Sequence, residues 1–405
     1  MIQTLIHRLL QRRHFWRYAT FGEVAELYAS RTLRLFALRI VTTFTSVYLL
    51  LEGYNLVFLA FFWAAFYLVK VVFAYPSARI IAYFGPKHAT LYSNIISAIG
   101  MVFLPFTTDY GLYALVPWLI LQSLSGTLND LSYLVDFSKV KSIDHAGKEI
   151  GYMNIFEKVA GGLSPVIGGF LAFWIGPEIV MALSAILFLL SAVPLFKTGE
   201  PTRLHQKLEF RGFPWRTTWR SLVAETAIGF DIFTTGSAWT LFMAIVIFAG
   251  NGDEMFAKIG VLTSIALFAA LGSSYAFGKL IDRRRGRELL IISSVVNSLV
   301  HVFRVFVTTP AGVAATNVIN ESTTTGYSMA FTRGMFDTAD NTGRRIVYLF
   351  FIEIVINFGA ALGALVLGGL AMILHDDAMS IRATFIIAAV VVLLIATPRF
   401  MLYRK

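Results

Sequence analysis

Apolar runs of about twenty residues, separated by short polar intervals, recur along the chain, each long enough for a helix to cross a hydrocarbon core of roughly 30 Å. They predict spans at 33–51, 55–82, 88–106, 111–136, 150–174 and 177–196, then at 221–248, 256–277, 289–308, 311–334, 346–373 and 381–398. Between the sixth and seventh lies the polar stretch 197–220, with six Lys or Arg residues and two prolines. It separates a bundle over 31–196 from a bundle over 221–405. Ahead of them, residues 1–30 are predicted as an amphipathic N-terminal segment. Ile2, Leu5, Ile6, Leu9 and Leu10 share one helical face there, while His7, Arg8, Arg12 and Arg13 lie elsewhere, the pattern of a helix resting on a membrane surface. The span at 311–334 is the most polar, with Asn317, Asn320, Glu321 and three consecutive threonines. Leaving it out would put Arg333, Arg344 and Arg345 on the side that the other short loops keep poor in Lys and Arg.

Composition agrees with a polytopic membrane protein and excludes a soluble enzyme. Of 405 residues 57% are hydrophobic and 14% charged, and the mean hydropathy is +0.70. The formal charge of +10 is dispersed in short clusters between apolar spans, without groove-reading or base-stacking motifs, so it predicts topology and anionic-lipid contact rather than nucleic-acid binding. The predicted outer loops hold Glu52, Asp109, Glu178, Asp253, Glu254, Asp376 and Asp377 against only Lys258 and Arg382. With an even number of crossings, both termini and the 197–220 connection are expected in the cytoplasm, in a cell-membrane protein. Cysteine is absent, which removes disulfides, thiolate metal sites and thiol nucleophiles. No metal-ligand spacing or phosphate-binding glycine loop occurs, so neither metal nor cofactor is expected and transport would not draw on ATP within this chain. Residues 1–30 also lack the apolar core and small-residue cleavage site of a removable signal.

Two features repeat. DHAGKEIGYMNIFEKVAGG from Asp144 overlays DNTGRRIVYLFFIEIVINF from Asp340, matching Asp144, Gly147, Lys148 and Glu157 to Asp340, Gly343, Arg344 and Glu353. Small residues at helical spacing appear in the fifth span, GGLSPVIGG from Gly161, and in the eleventh, GAALGALVLGG from Gly359. Such spacing serves close helix packing, and Pro165 adds a weak point at which a gate could bend.

Between the eighth and ninth spans, GKLIDRRRGR carries Gly278, Leu280, Asp282, Arg283, Gly286 and Arg287. This resembles the loop motif of the major facilitator superfamily, with one extra residue before the second glycine. Pro165, Gly168 and Gly169 resemble the fifth-helix motif of that family's exporters, with Ser164 where the motif has glycine. The first-half copy of the loop motif keeps Gly85 and Lys87 but has Ala82 and Tyr83 at the Asp-Arg positions, and no Arg stands in the fourth span around Gln122. The resemblance implies an all-α membrane fold of twelve helices in two pseudo-symmetric six-helix bundles, with helices one, four, seven and ten lining a central cavity. It implies a secondary active transporter of a small solute working by alternating access, in the leading form an exporter open to proton coupling. A proton-coupled importer of a sugar or other metabolite and a non-transporting membrane sensor or scaffold are the alternatives. A small-molecule substrate, membrane lipid and protons are the expected partners of a monomer.

Charged residues inside spans cost about 2.5 to 3.5 kcal/mol each at a helix centre, so they mark function or structural pairing. On the cavity helices these are Arg39, Asn129, Asp130, Asp231, Asn320 and Glu321, the expected substrate- or proton-binding set. Arg39 either lines the cavity or reaches back to the interface. Lys70 is expected to pair with Glu353 or Glu157 as a structural ion pair. Gly278, Asp282, Arg283, Gly286 and Arg287, with Pro165, Gly168 and Gly169, form the expected gating motifs. His301 and Arg304, on the ninth span, are left outside the site. Glu321 and then Asp231 are the foremost coupling carboxylates by depth, with a structural role as the alternative for Glu321.

Overall fold

A computed structural model of the chain describes residues 21–140, 146–196, 205, 207–250, 252 and 254–403. Residues 1–20 of the predicted surface segment, Asp144 of the first repeat copy and most of the stretch 197–206 lie outside the described residues. Twelve long crossings account for the rest, and no strand occurs among the described residues. The first six are α1 (Phe21–Leu51), α2 (Leu56–Phe84), α3 (Pro86–Tyr110), α4 (Leu112–Val140), α5 (Ala146–Ile175) and α6 (Pro177–Leu195). The second six are α7 (Trp215–Ile247), α8 (Glu254–Asp282), α9 (Gly286–Arg304), α10 (Pro310–Asn341), α11 (Arg345–Leu374) and α12 (Asp377–Ala396).

Ten of these have the length and apolar content to cross a membrane. The other two, α4 and α10, are 29 and 32 residues long, roughly 44 and 48 Å at helical rise, and hide their polar residues inside the bundle. Asn129, Ser132 and Asp136 of α4 and Asn317, Asn320 and Thr325 of α10 are all buried. The polar tenth span is therefore a crossing. Two boundaries differ from expectation. Residues 21–30, read as part of a surface segment, continue α1 without interruption, and the polar connection ends at Pro214 because Trp215 to Arg220 already form the first turns of α7.

Two turns use the same device. Gly85 and Gly176 adopt φ 90° and 98°, open to glycine, and each is followed by a proline at the first helical position. Within the first half α1 packs on α5 and α6, and α4 on α2 and α3; within the second, α7 packs on α11, and α10 on α8 and α9. The halves meet along two seams, α2 against α11 and α5 against α8. Glycine lets these backbones touch. A Cβ at Gly229 on α7 would stand 1.8 Å from the Ile356 carbonyl oxygen of α11, and one at Gly359 on α11 1.9 Å from that of Thr226. No such neighbour can yield, so α7 and α11 are joined as a backbone-to-backbone pair.

At the end of the molecule that carries the linker, the described part of that linker lies over the α2–α11 seam. The His205 backbone N–H donates to the Tyr83 carbonyl oxygen at the end of α2 (3.2 Å). Four residues on, the Arg344 guanidinium, between α10 and α11, donates to the Glu209 carbonyl oxygen (3.4 Å) and to that of Arg211. Between these anchors the Phe210 ring touches Tyr75 of α2 (centroids 6.3 Å apart) and Phe350 of α11 (5.5 Å).

Candidate functional site

The seam between the halves is lined by charge at the middle of the helices. On α4, Ser123 and Thr127 donate to the backbone carbonyl oxygens of Phe66 and Lys70 on α2 (3.0 and 3.2 Å), fixing the two helices in register. Gly126 leaves room for the Lys70 stem, whose Cε would lie 3.3 Å from a Cβ there. The ammonium passes over that glycine and reaches Asp130, one turn further along α4, at 3.2 Å. It also reaches Glu353 of α11, in the opposite half, at 3.7 Å. Asn357, one turn after Glu353, holds that carboxylate through its side-chain amide at 2.7 Å.

Asp130 has a second partner. Arg31 of α1 approaches it at 3.4 Å, donates to Asn129 and to Glu157 of α5, each at 2.9 Å, and rests over the Tyr133 ring at 4.2 Å. Two pairs around one guanidinium explain why α1 continues through a basic stretch. The Asp130 side chain is still 40% exposed despite its paired position, so it faces an accessible space. A second pair spans the halves where Lys158 of α5 meets Glu321 of α10, both about a quarter exposed. Glu225 of α7 is buried within electrostatic reach of Glu353, and its Oε2 has no hydrogen-bond partner among the described residues.

These contacts sort the expected residues. Asn129, Asp130, Lys70, Glu157 and Glu353 come together, and Glu321 joins the seam through Lys158. Lys70 takes Glu353 rather than Glu157, which Arg31 occupies. Arg39 is exposed on α1 and makes no ion pair with the described residues, although it lies within electrostatic reach of Tyr67 on α2. Asn320 is buried with its Oδ1 unpartnered among the described residues. Asp231 lies elsewhere, wholly buried inside the second half. There it accepts from Asn297 at 3.0 Å and from the Tyr327 hydroxyl, and lies 2.6 Å from His301 Nε2.

His301, set aside on sequence grounds, is thus a direct partner of Asp231. A signal for it existed: Ser293, Ser294, Asn297, His301 and Arg304 form one buried polar stripe at helical spacing on α9. Arg31, Lys158 and Glu225 were also missed. The groups that give each its place lie on other helices, which the sequence around it does not show.

The expected gating residues lie along the seam, against α1 and at the linker end. A Cβ at Gly169 would stand 2.5 Å from the Phe256 carbonyl oxygen of α8, and one at Gly260 of α8 would stand 2.5 Å from that of Pro165. Gly168 faces α1 instead, at 2.5 Å from the Ile40 carbonyl oxygen. Gly278 lies against Gly151 of α5. Gly286 makes room for the Tyr403 ring, and Arg287 donates to the Pro398 carbonyl oxygen at 3.2 Å. Asp282 is the last residue of α8, with interactions of its own, and Arg283 caps the helix. Among the described residues no group of three or more His, Asp or Glu could hold a metal ion.

Residues 27–345 match the sequence profile of the Major Facilitator Superfamily. No curated protein sequence matches the chain. Several solved structures share its fold. The transporter FucP in its outward conformation, also described as the fucose:proton symporter of E. coli, aligns with a TM-score of 0.67 over 92% of this chain and 97% of its own, at 12% identity. The nucleoside transporter NupG aligns equally, with the same score, coverage and identity. A bacterial homologue of the iron transporter ferroportin, outward-facing with soaked iron, aligns with a TM-score of 0.66 over 91% of this chain and 98% of its own, at 14% identity.

Proposed function

The chain belongs to the major facilitator superfamily, a family of carriers rather than enzymes, and from that premise we propose that it moves a small solute by alternating access, as a secondary active transporter. The observation that carries this reading is Lys70, which holds Asp130 of its own half and Glu353 of the other. An ammonium shared in this way loses only one partner when the α2–α11 seam parts, so separation of the halves never leaves it isolated in a low-dielectric space. Lys158 and Glu321 sit on the second pair of facing helices and are exposed enough to be rehydrated as they separate. The two six-helix halves, α1 to α6 and α7 to α12, rock about this belt, with Asn129, Asp130, Asn320 and Glu321 facing the solute path. Export is the direction favoured by the fifth-helix motif at Pro165, Gly168 and Gly169. Glu321, whose partner belongs to the opposite half, is the coupling carboxylate if protons drive transport. The termini and the linker face the cytoplasm, as the basic loops require.

Locking each seam in turn tests the reading without knowledge of the solute. The natural chain has no cysteine. A Cβ at Gly368 on α11 would lie 3.4 Å from that of Ala60 on α2, close to the separation a disulfide needs. The double variant Ala60→Cys, Gly368→Cys therefore closes the face remote from the linker, and Gly151→Cys with Gly278→Cys closes the linker face. A further Asn320→Cys should react with an impermeant maleimide only from the cytoplasmic side in the first lock and only from the outer side in the second. Labelling at residue 320 that is indifferent to which face is locked would rule out alternating access.

A further inference from the structure

We propose that Arg304 anchors an oxyanion-binding subsite inside the second half, closed over by Trp239, and that the transported solute carries a carboxylate or phosphate group.

Arg304 is the last residue of α9 and is only 1% exposed. Its guanidinium carbon lies 4.6 Å from the centroid of the Trp239 ring on α7 and 6.0 Å from that of Phe385 on α12. Those rings cover its faces and leave its edge, where the N–H donors point. Nε and Nη1 are both buried and have no hydrogen-bond partner among the described residues. A buried guanidinium with unmet donors is expensive unless it meets an anion, because each unmet donor forfeits its hydration. The nearby carboxylate does not meet that need. Asp231 acts on Arg304 only through space, and its oxygens are taken up by His301, Asn297 and Tyr327. His301 Nδ1, on the same face of α9 one turn before Arg304, is likewise buried without a partner among the described residues.

The covering helix is irregular where it crosses Arg304. α7 contains two π-helical stretches, Thr234–Ala238 and Met243–Ile247, which bracket the single α turn Trp239–Phe242. Each holds an extra residue in the helical ladder, and shifting that residue along the ladder rotates the turn between them. The Trp239 ring itself makes one hydrogen bond, from its Nε1 to the Asn317 Oδ1 of α10 at 2.8 Å, and packs on Phe242 of its own turn and Phe385 of α12. Rotation of that turn would lift the indole from the guanidinium and make room for a ligand beside its buried donor edge. A planar fork of donors presented this way suits a two-oxygen acceptor. A buried arginine of the first half gives the contrast. Arg34 of α1 lies 5.1 Å from the Phe188 ring of α6, but spends both terminal nitrogens on Asn94, Ser97 and Ser125. Arg34 is satisfied by its own fold and Arg304 is not.

The role in transport rests on the carrier reading above, whereas binding can be measured without it. Purified protein in phospholipid-free detergent is titrated with acetate and with inorganic phosphate, following thermal unfolding and tryptophan emission. One of the two anions should raise the unfolding temperature and change the emission. Arg304→Gln should weaken that binding about tenfold or more, Arg304→Lys should restore part of it, and Trp239→Phe should abolish the emission change while keeping the thermal shift. If Arg304→Gln does not fold, loss of the emission signal in Trp239→Phe still ties the bound anion to this site. No response to either anion, or an undiminished response in a folded Arg304→Gln protein, overturns the proposal. So does a response confined to nanodiscs containing phosphatidylglycerol, which would assign the site to a lipid headgroup. Binding that persists while the seam locks fail would refute the carrier cycle and leave the subsite standing.

Discussion

In the first half Arg34 crosses from α1 to Asn94 and Ser97 on α3 and Ser125 on α4; in the second, Asp231 of α7 reaches Asn297 and His301 on α9 and Tyr327 on α10. Each half thus ties its first, third and fourth helices together through one buried charge on the first. The signs are opposite, and the second half also buries Arg304 without giving it a hydrogen-bonded counter-ion among the described residues. Where all the donors are used, the charge is architecture. Where they are not, the same fold has kept a group whose cost is met by something other than the fold.

This comparison is broken most readily at Arg34. Arg34→Leu should leave three buried polar side chains without their donor and cost about 3 kcal/mol, visible as a fall of several degrees in the unfolding temperature. Arg304→Leu should cost about 1 kcal/mol or less, since it removes no bond and fills the space with apolar atoms. Equal losses in the two variants would show that unmet donors at Arg304 have no energetic meaning. A smaller effect than at Arg34 is expected from Asp231→Asn, which keeps the shape but removes the charge and turns one of the two acceptor oxygens into an NH2 donor. About 1 to 2 kcal/mol should be lost, and anion binding at Arg304 should tighten as the competing charge disappears. Weaker anion binding would mean that Asp231 positions Arg304 instead of opposing the ligand. Smallest of all should be the stability change in Glu321→Gln, because both members of its pair are partly exposed and such pairs contribute less than about 1 kcal/mol. In proteoliposomes this variant should retain solute exchange and lose accumulation driven by a pH gradient. Accumulation at the natural rate would remove Glu321 from the coupling role.

Sequence periodicity was enough to place twelve crossings, because the apolar length of a span is set by the bilayer and not by its neighbours. It reached α10 only by way of the basic residues at its ends. The chemistry of the site was legible to the depth of single helices: Asp130, Glu321, Glu353 and Lys70 stand out as charges in apolar company. What could not be read was pairing. Glu157 and Glu353 occupy matching positions in the repeat, yet one meets Arg31 of its own half and the other Lys70 of the opposite half. His301 was dismissed by reading its helix as peripheral to the central path. In a bundle, though, a peripheral helix still turns one face inward, and the buried stripe from Ser293 to Arg304 marks that face.

The linker's two anchors also make it a tether of calculable reach. His205 is bonded to α2 and Glu209 to Arg344 at the start of α11, and four residues of chain extend no further than about 14 Å. While both anchors hold, the α2 and α11 ends at that face can part by only that distance. Any wider opening has to release one of the two anchors, the backbone hydrogen bond at Tyr83 or the Arg344 contacts to Glu209 and Arg211. The strap therefore works as a mechanical stop, with a short free travel and then a catch, so that a force pulling the halves apart would meet resistance in two stages rather than one.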